Sequence, residues 1–151
     1  MTRNYKQGLY TPQNPEKYVG DANNVFFRSS WELKFMKWAD LNPNVLKWNN
    51  EELVIPYLSP VDNKPHRYFV DFMIMVRNRN NEVRKYAVEI KPSKERTAPA
   101  KRGKNKTKFL TEMTTYAVNI AKWNAAEKFC IRNNMEFIVL DEFDLGIKPR
   151  N

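Results

Sequence analysis

The stretch that decides the fold is Arg67-Tyr68-Phe69-Val70-Asp71-Phe72-Met73-Ile74-Met75-Val76. It is answered, after a short polar interval, by Val83-Arg84-Lys85-Tyr86-Ala87-Val88-Glu89-Ile90-Lys91. Both runs are rich in the β-branched and aromatic residues that suit a pleated, half-buried surface. Between them, Arg77-Asn78-Arg79-Asn80-Asn81 places asparagines where a turn favours them. The pattern predicts a β-hairpin whose second strand is stopped by Pro92.

Three charged residues interrupt this hairpin: Asp71 in the first strand, Glu89 and Lys91 in the second. Glu89 and Lys91 stand two residues apart, so they project from one face. A turn near Arg79 sets Asp71 across from about Val88, which makes Asp71 and Glu89 neighbours. A carboxylate in an apolar strand is costly without a partner. Two side by side repel unless a cation sits between them, and oxygen donors suit Mg²⁺ or Mn²⁺. Lys91 adds a fixed positive charge. These are the parts that phosphodiester hydrolysis needs: a cation to polarise the phosphoryl group and activate water, and a donor facing the transition state. A structural ion-pair network on a solvated sheet face would use the same three residues, and the string D…E-x-K is weak by itself.

Upstream, Leu53-Val54-Ile55-Pro56-Tyr57 reads as a short strand, with its proline at an edge or bend, and Pro60 to Pro65 reads as a turn region. Before it, Ser29-Ser30-Trp31-Glu32 has the spacing of a capping box and opens a helix that Asn42-Pro43 ends. Glu32 shares a stripe with Phe35, Met36 and Ala39. It is therefore either the helix cap or a carboxylate aimed at the hairpin site. Residues 1–24 are polar and aperiodic, with Tyr5, Tyr10 and Tyr18 scattered among them. They read as an extended arm whose tyrosines pack on the body, ahead of a single domain over 25–151.

Downstream, residues 93–108 carry Lys94, Arg96, Lys101, Arg102, Lys104, Lys106 and Lys108 against one acid, Glu95. This segment holds two-thirds of the chain's net charge of +9. With Pro99, Gly103 and no apolar periodicity it reads as a long basic loop, suited to tracking phosphates, with a solvated tether as the bland alternative. Residues 107–133 have helical spacing, with Asn133-Asn134 as the stop, and Met135 to Leu140 reads as a last strand. The order is α-β-β-β-α-β: the α/β class, a mixed central sheet flanked by helices.

Composition narrows the function. A basic surplus of this size points to a polyanionic partner, with nucleic acid the commonest. There is no apolar run near the about 18 residues of a membrane span, and no apolar region in the first ten residues to suggest export. One cysteine, Cys130, excludes an internal disulfide and reads as a small core residue. One histidine, His66, excludes two-histidine metal chemistry and reads as a turn or strand-edge residue. No phosphate-cradling glycine loop is present, so no nucleotide cofactor is expected.

Glu32, Phe69-Val70-Asp71 and Glu89-Ile90-Lys91, on this succession of elements, resemble the PD-(D/E)XK nuclease superfamily over roughly residues 26–140. Within it, the helix-borne Glu32 and Phe69-Val70-Asp71-Phe72 are similar to the TnsA-type transposase endonucleases. The whole chain resembles the head-completion nucleases of T4-like bacteriophages, which are understood to act on the filled head before tail joining. Val70 stands where the superfamily commonly has proline, a position often replaced. The resemblance implies a restriction-endonuclease-like core and a Mg²⁺- (or Mn²⁺-) dependent DNA endonuclease. It makes Asp71 and Glu89 metal ligands, with the Ile90 carbonyl as a further one, Lys91 the catalytic lysine, and Glu32 a fourth catalytic member and candidate ligand. It also implies DNA as partner, phage portal or neck proteins as further partners, and a place in the host cytoplasm during assembly or on the virion. The alternative is a DNA-binding structural head or neck protein without catalytic activity.

Overall fold

The computed structural model describes residues 7–150; Tyr5 and the rest of residues 1–6 of the expected arm, with Asn151, lie outside the described residues. Strand β1 (Gly8–Tyr10) leads to a 3₁₀ turn (Pro15–Lys17), then to β2 (Val25–Phe27), which pairs antiparallel with β1. Helix α1 (Ser30–Leu41) follows, then β3 (Val45–Asn50), β4 (Val54–Leu58), β5 (Pro65–Phe69), β6 (Phe72–Arg77) and β7 (Val83–Ile90). A 3₁₀ turn (Ser93–Arg96) leads to α2 (Lys106–Arg132) and finally β8 (Glu136–Leu140).

The central sheet has the order β3-β6-β7-β8. Its first two pairings are antiparallel and the last, β7 with β8, is parallel. A parallel neighbour needs a crossover, and α2 supplies it. Residues that alternate along the strands divide the core in two. Phe72, Ile74 and Val88 face α1 through Phe35, Met36 and Ala39, while Ala87 faces Ala126 and Cys130 of α2. The mixed sheet with a helix on each face is the α/β architecture that the sequence predicts.

Two expectations are corrected in detail. The first core strand is β3, Val45–Asn50, a segment whose patterning does not announce a strand. Asn49 and Asn50 are poor strand formers, yet both are buried here. Asn50 is held by the Tyr18 hydroxyl and by the Phe26 carbonyl, so side-chain bonds offset its low propensity. The strand predicted over residues 53–57 does exist as β4, but it pairs only with β5, in a separate two-stranded ribbon packed on α2. Correspondingly, the run from Arg67 to Val76 is not one strand. It breaks at Val70-Asp71, where Val70 N–H bonds the Leu53 carbonyl and the Asp71 carbonyl accepts from Glu51 N–H.

The segment from residue 7 to 24 lies on the body. Tyr10 and Tyr18 pack against Trp48, with ring centroids 6.4 and 4.9 Å away. The Lys17 ammonium donates to the carbonyls of Ala39, Asp40 and Asn42 at 2.7, 2.8 and 2.8 Å, closing the C-terminal end of α1. Cys130 is buried in the cluster beneath α2. His66 sits exposed on β5, with Nε2 2.7 Å from Asp62. Among the described residues, no helix is long and apolar enough to cross a membrane.

Candidate active site

The site is built where β6 and β7 begin to diverge. Phe72 pairs with Val88, so one further antiparallel step sets Asp71 opposite Glu89. The turn placed near Arg79 from the sequence sets Asp71 opposite Val88; the true register is shifted by one residue. A one-residue slip reverses the face of a side chain, so this register is what brings the two carboxylates together. Asp71 Oδ2 accepts a 2.8 Å hydrogen bond from the Ile90 amide, which locks its side chain across the strand pair. Glu89 is 6 % exposed. Its Oε2 lies 3.5 Å from Lys91 Nζ, and its Oε1 accepts from the Tyr68 hydroxyl at 2.8 Å. Asp71, Glu89 and Lys91 thus form one contiguous group.

Burial first, and the neighbouring Glu89 second, push the Asp71 carboxyl well above the ordinary carboxylate range; Glu32 adds a smaller push. The Ile90 amide works against them. Burial and the Glu89 charge also hold the Tyr68 phenol far above its usual value, so it remains a neutral donor.

Glu32 is seen in the cap that the sequence allowed. Ser29 Oγ accepts from the Glu32 amide at 3.2 Å and donates to its carboxylate at 3.1 Å, a local cap at the start of α1. Its carboxyl is raised, chiefly by burial, while the Ser29 bond pulls the other way and Glu51 adds repulsion. Its charge reaches Asp71, but no group of three or more His, Cys, Asp or Glu side chains among the described residues is arranged to hold a metal ion.

The donor set fits a small divalent cation. The Asp71 carboxylate, whose charge is disfavoured by burial and by the facing Glu89, is relieved by a cation between the two. Mg²⁺ commonly takes only one or two carboxylates and fills its remaining positions with water and substrate phosphate. Asp71 and Glu89 are hard oxygen donors of that kind.

The basic segment is divided by the fold. Arg96 is committed to Asp141 at 2.9 Å and reaches Asp144 at 3.9 Å. Lys104 pairs with Glu112. Ser93 N–H donates to both oxygens of Glu142, which pins the turn following Lys91. Lys101, Arg102, Lys106 and Lys108 are exposed. Between residues 94–100 and α2 lies a groove of about 810 Å³, with Lys94, Lys104 and Lys108 on its walls and Thr111, Thr115 and Tyr116 on its α2 side.

Tyr68 is the residue that sequence reasoning missed. On an unbroken strand it would stand three residues from Asp71 and face the other way. The break at Val70-Asp71 turns it onto the Glu89 side, and no local signal marks that break.

Comparison with known proteins agrees with this architecture. The family model for the TnsA-like endonuclease N-terminal domain matches residues 42–142. The head completion nuclease of Enterobacteria phage T4 is 34 % identical over 139 residues, covering 89 % of this chain and 90 % of that protein. No solved structure matches. On this match, and with the α-β-β-β-α-β core in place, the chain belongs to the TnsA-like endonuclease family, consistent with the PD-(D/E)XK nucleases that its motifs resemble.

Proposed function

We propose that this protein is a divalent-cation-dependent endonuclease that hydrolyses DNA phosphodiester bonds and acts in bacteriophage head completion, after DNA packaging. The observation that carries the reading is the Asp71–Glu89 pair, opposed across β6 and β7 with Lys91 against one of its oxygens. Asp71, Glu89 and the Ile90 carbonyl would hold Mg²⁺ or Mn²⁺. When bound, the cation polarises a phosphoryl oxygen and lowers the pKa of its water. Lys91 Nζ stands 3.5 Å from Glu89 Oε2, where it donates to the attacking water or to charge growing on the phosphoryl group. Water adds to phosphorus as the bridging P–O bond breaks; the water gives up a proton to solvent and the departing oxygen takes one up, leaving a phosphate monoester and a hydroxyl end. Glu32 contributes a negative charge next to Asp71, which favours cation binding there.

Lys94, Lys101, Arg102, Lys106 and Lys108 present the free positive surface along which the DNA backbone runs; Arg96 and Lys104 add charge while tied to acids. Action in head completion puts the protein in the host cytoplasm during assembly, with portal or neck proteins as neighbours and the virion as a further location. Support for a role in head completion comes from the similarity to the phage T4 nuclease of that name.

Cleavage of plasmid DNA in Mg²⁺ tests the reading. Lys91→Ala should lower the rate about 100- to 1000-fold with the fold intact by circular dichroism. A variant that cuts as fast as the parent removes Lys91 from the chemistry. Mn²⁺ titration by calorimetry separates the reading from that of a non-catalytic DNA-binding head protein, since binding that depends on Asp71 and Glu89 belongs only to the nuclease.

A further inference from the structure

The β4–β5 ribbon does not belong to the central sheet, yet its Tyr68 reaches the centre of the site. Tyr68 is 4 % exposed and donates to Glu89 Oε1 at 2.8 Å. Its ring is also met by α2: Lys122 Nζ lies 5.6 Å from the Tyr68 centroid and 5.8 Å from that of Tyr57. Tyr68 also packs within the cluster of Ile55, Val70, Ala87, Ala126 and Cys130. The phenol is therefore fixed in place from two elements, and its hydroxyl is committed to one oxygen of Glu89.

That geometry divides the labour of the Glu89 carboxylate. Oε1 is occupied by the phenol, while Oε2 is turned toward Lys91. A carboxylate with both oxygens free can rotate about its terminal torsion, which is broad and roughly two-fold. One with a buried donor on one oxygen cannot rotate without breaking that bond. We propose that Tyr68 is a positioning residue that holds Glu89 with Oε2 presented to the cation and Lys91, so that the accessory ribbon and α2 set the geometry of the active site. The proposal rests on the assignment of Asp71 and Glu89 as cation ligands.

Removing a hydrogen-bond partner of a metal ligand typically costs 10- to 100-fold in affinity or activity. Tyr68→Phe keeps the ring and its contact with Lys122 and deletes one hydrogen bond. It should weaken Mn²⁺ binding, measured by calorimetry, by about 10-fold or more, and lower kcat while leaving KM for DNA unchanged. Tyr57→Phe is the control: it shares the ribbon and Lys122 but has no bond to Glu89, and should bind Mn²⁺ like the parent. Parental Mn²⁺ affinity in Tyr68→Phe, or an equal loss in Tyr57→Phe, overturns the role of Tyr68 while the ligand assignment stands. Parental Mn²⁺ affinity in Asp71→Asn overturns the ligand assignment and this proposal with it. A second measurement leaves the bond in place. With 3-fluorotyrosine at position 68, the fluorine resonance should move on Mg²⁺ titration, and should stop moving in Asp71→Asn. A resonance indifferent to Mg²⁺ in the Asp71 protein overturns the proposal.

Discussion

At the scale of single residues, the site is a place where charge is held at a cost. Asp71 is raised by burial and by Glu89, so it binds a proton more tightly in the folded protein than in the unfolded chain. Its contribution to stability is therefore complete below the ordinary aspartate value of about 3.9 and is lost as pH rises through its folded value. In chelator, the melting temperature should decline as pH rises from about 4 toward neutrality beyond what other groups cause, and Asp71→Asn should flatten that decline. Mg²⁺ should restore the loss at neutral pH in the parent alone. Identical pH profiles for parent and Asp71→Asn would show that the carboxylate pair is not strained. Glu32 is decided at the same scale. Glu32→Gln keeps the amide bond to Ser29 and deletes the charge near Asp71. Cleavage should fall at least about 10-fold, in the range expected when one electrostatic interaction is removed from an active site. Unchanged cleavage makes Glu32 a cap and nothing more.

At the scale of elements, α1 is closed at both ends by side chains distant in kind. Ser29 caps its N-terminus, and Lys17, brought by the segment ahead of β2, closes its last carbonyls. Hydrogen bonds to a charged group contribute about 1.5–3 kcal/mol each, so Lys17→Met should cost about 1–3 kcal/mol after relaxation, read by urea unfolding. Beside it, Asp40 is pushed up by burial, but Tyr10, Gln13 and Asn14 more than compensate, so its carboxyl sits below the usual range. That contribution runs opposite to Asp71: it is present above the ordinary aspartate value and lost as pH falls through the folded one. The hairpin of β6 and β7 is legible in the sequence because its patterning is strong and its turn is rich in asparagine. Asn81 adopts the left-handed conformation there, with φ 62°. Strand β3 is not legible, because Asn49 and Asn50 are strand residues only through burial and the bonds of Asn50 to Tyr18 and Phe26.

At the scale of the whole molecule, residues 93–108 hold two-thirds of the net charge of +9 in one segment of chain. The groove between residues 94–100 and α2 adjoins the turn that follows Lys91, so the charged surface and the carboxylate pair are linked through a few residues of chain. Neutralising Lys101, Arg102, Lys104 and Lys106 together should weaken DNA binding and flatten the dependence of log K on log salt by about 0.9 for each phosphate no longer neutralised. Anisotropy with a labelled duplex across a salt series measures this. An unchanged slope would take the segment out of the DNA interface.

The sequence by itself determined the class of fold, the Ser29 cap of α1, the hairpin and its three charged residues. Each of these rests on local periodicity and on residue types whose preferences act within a few positions. Only the tertiary structure decided the register that opposes Asp71 to Glu89, the break at Val70-Asp71, and the turning of Tyr68 onto Glu89. It also set the partner of Arg96, which looks free in the sequence and is not. The reason is common to all of them: pairing between segments far apart in the chain is chosen by packing and buried hydrogen bonds, and no window along the chain contains both partners. Asp71, Glu89 and Lys91 could be named from the two runs alone, but that they form one contiguous group is a property of the folded sheet.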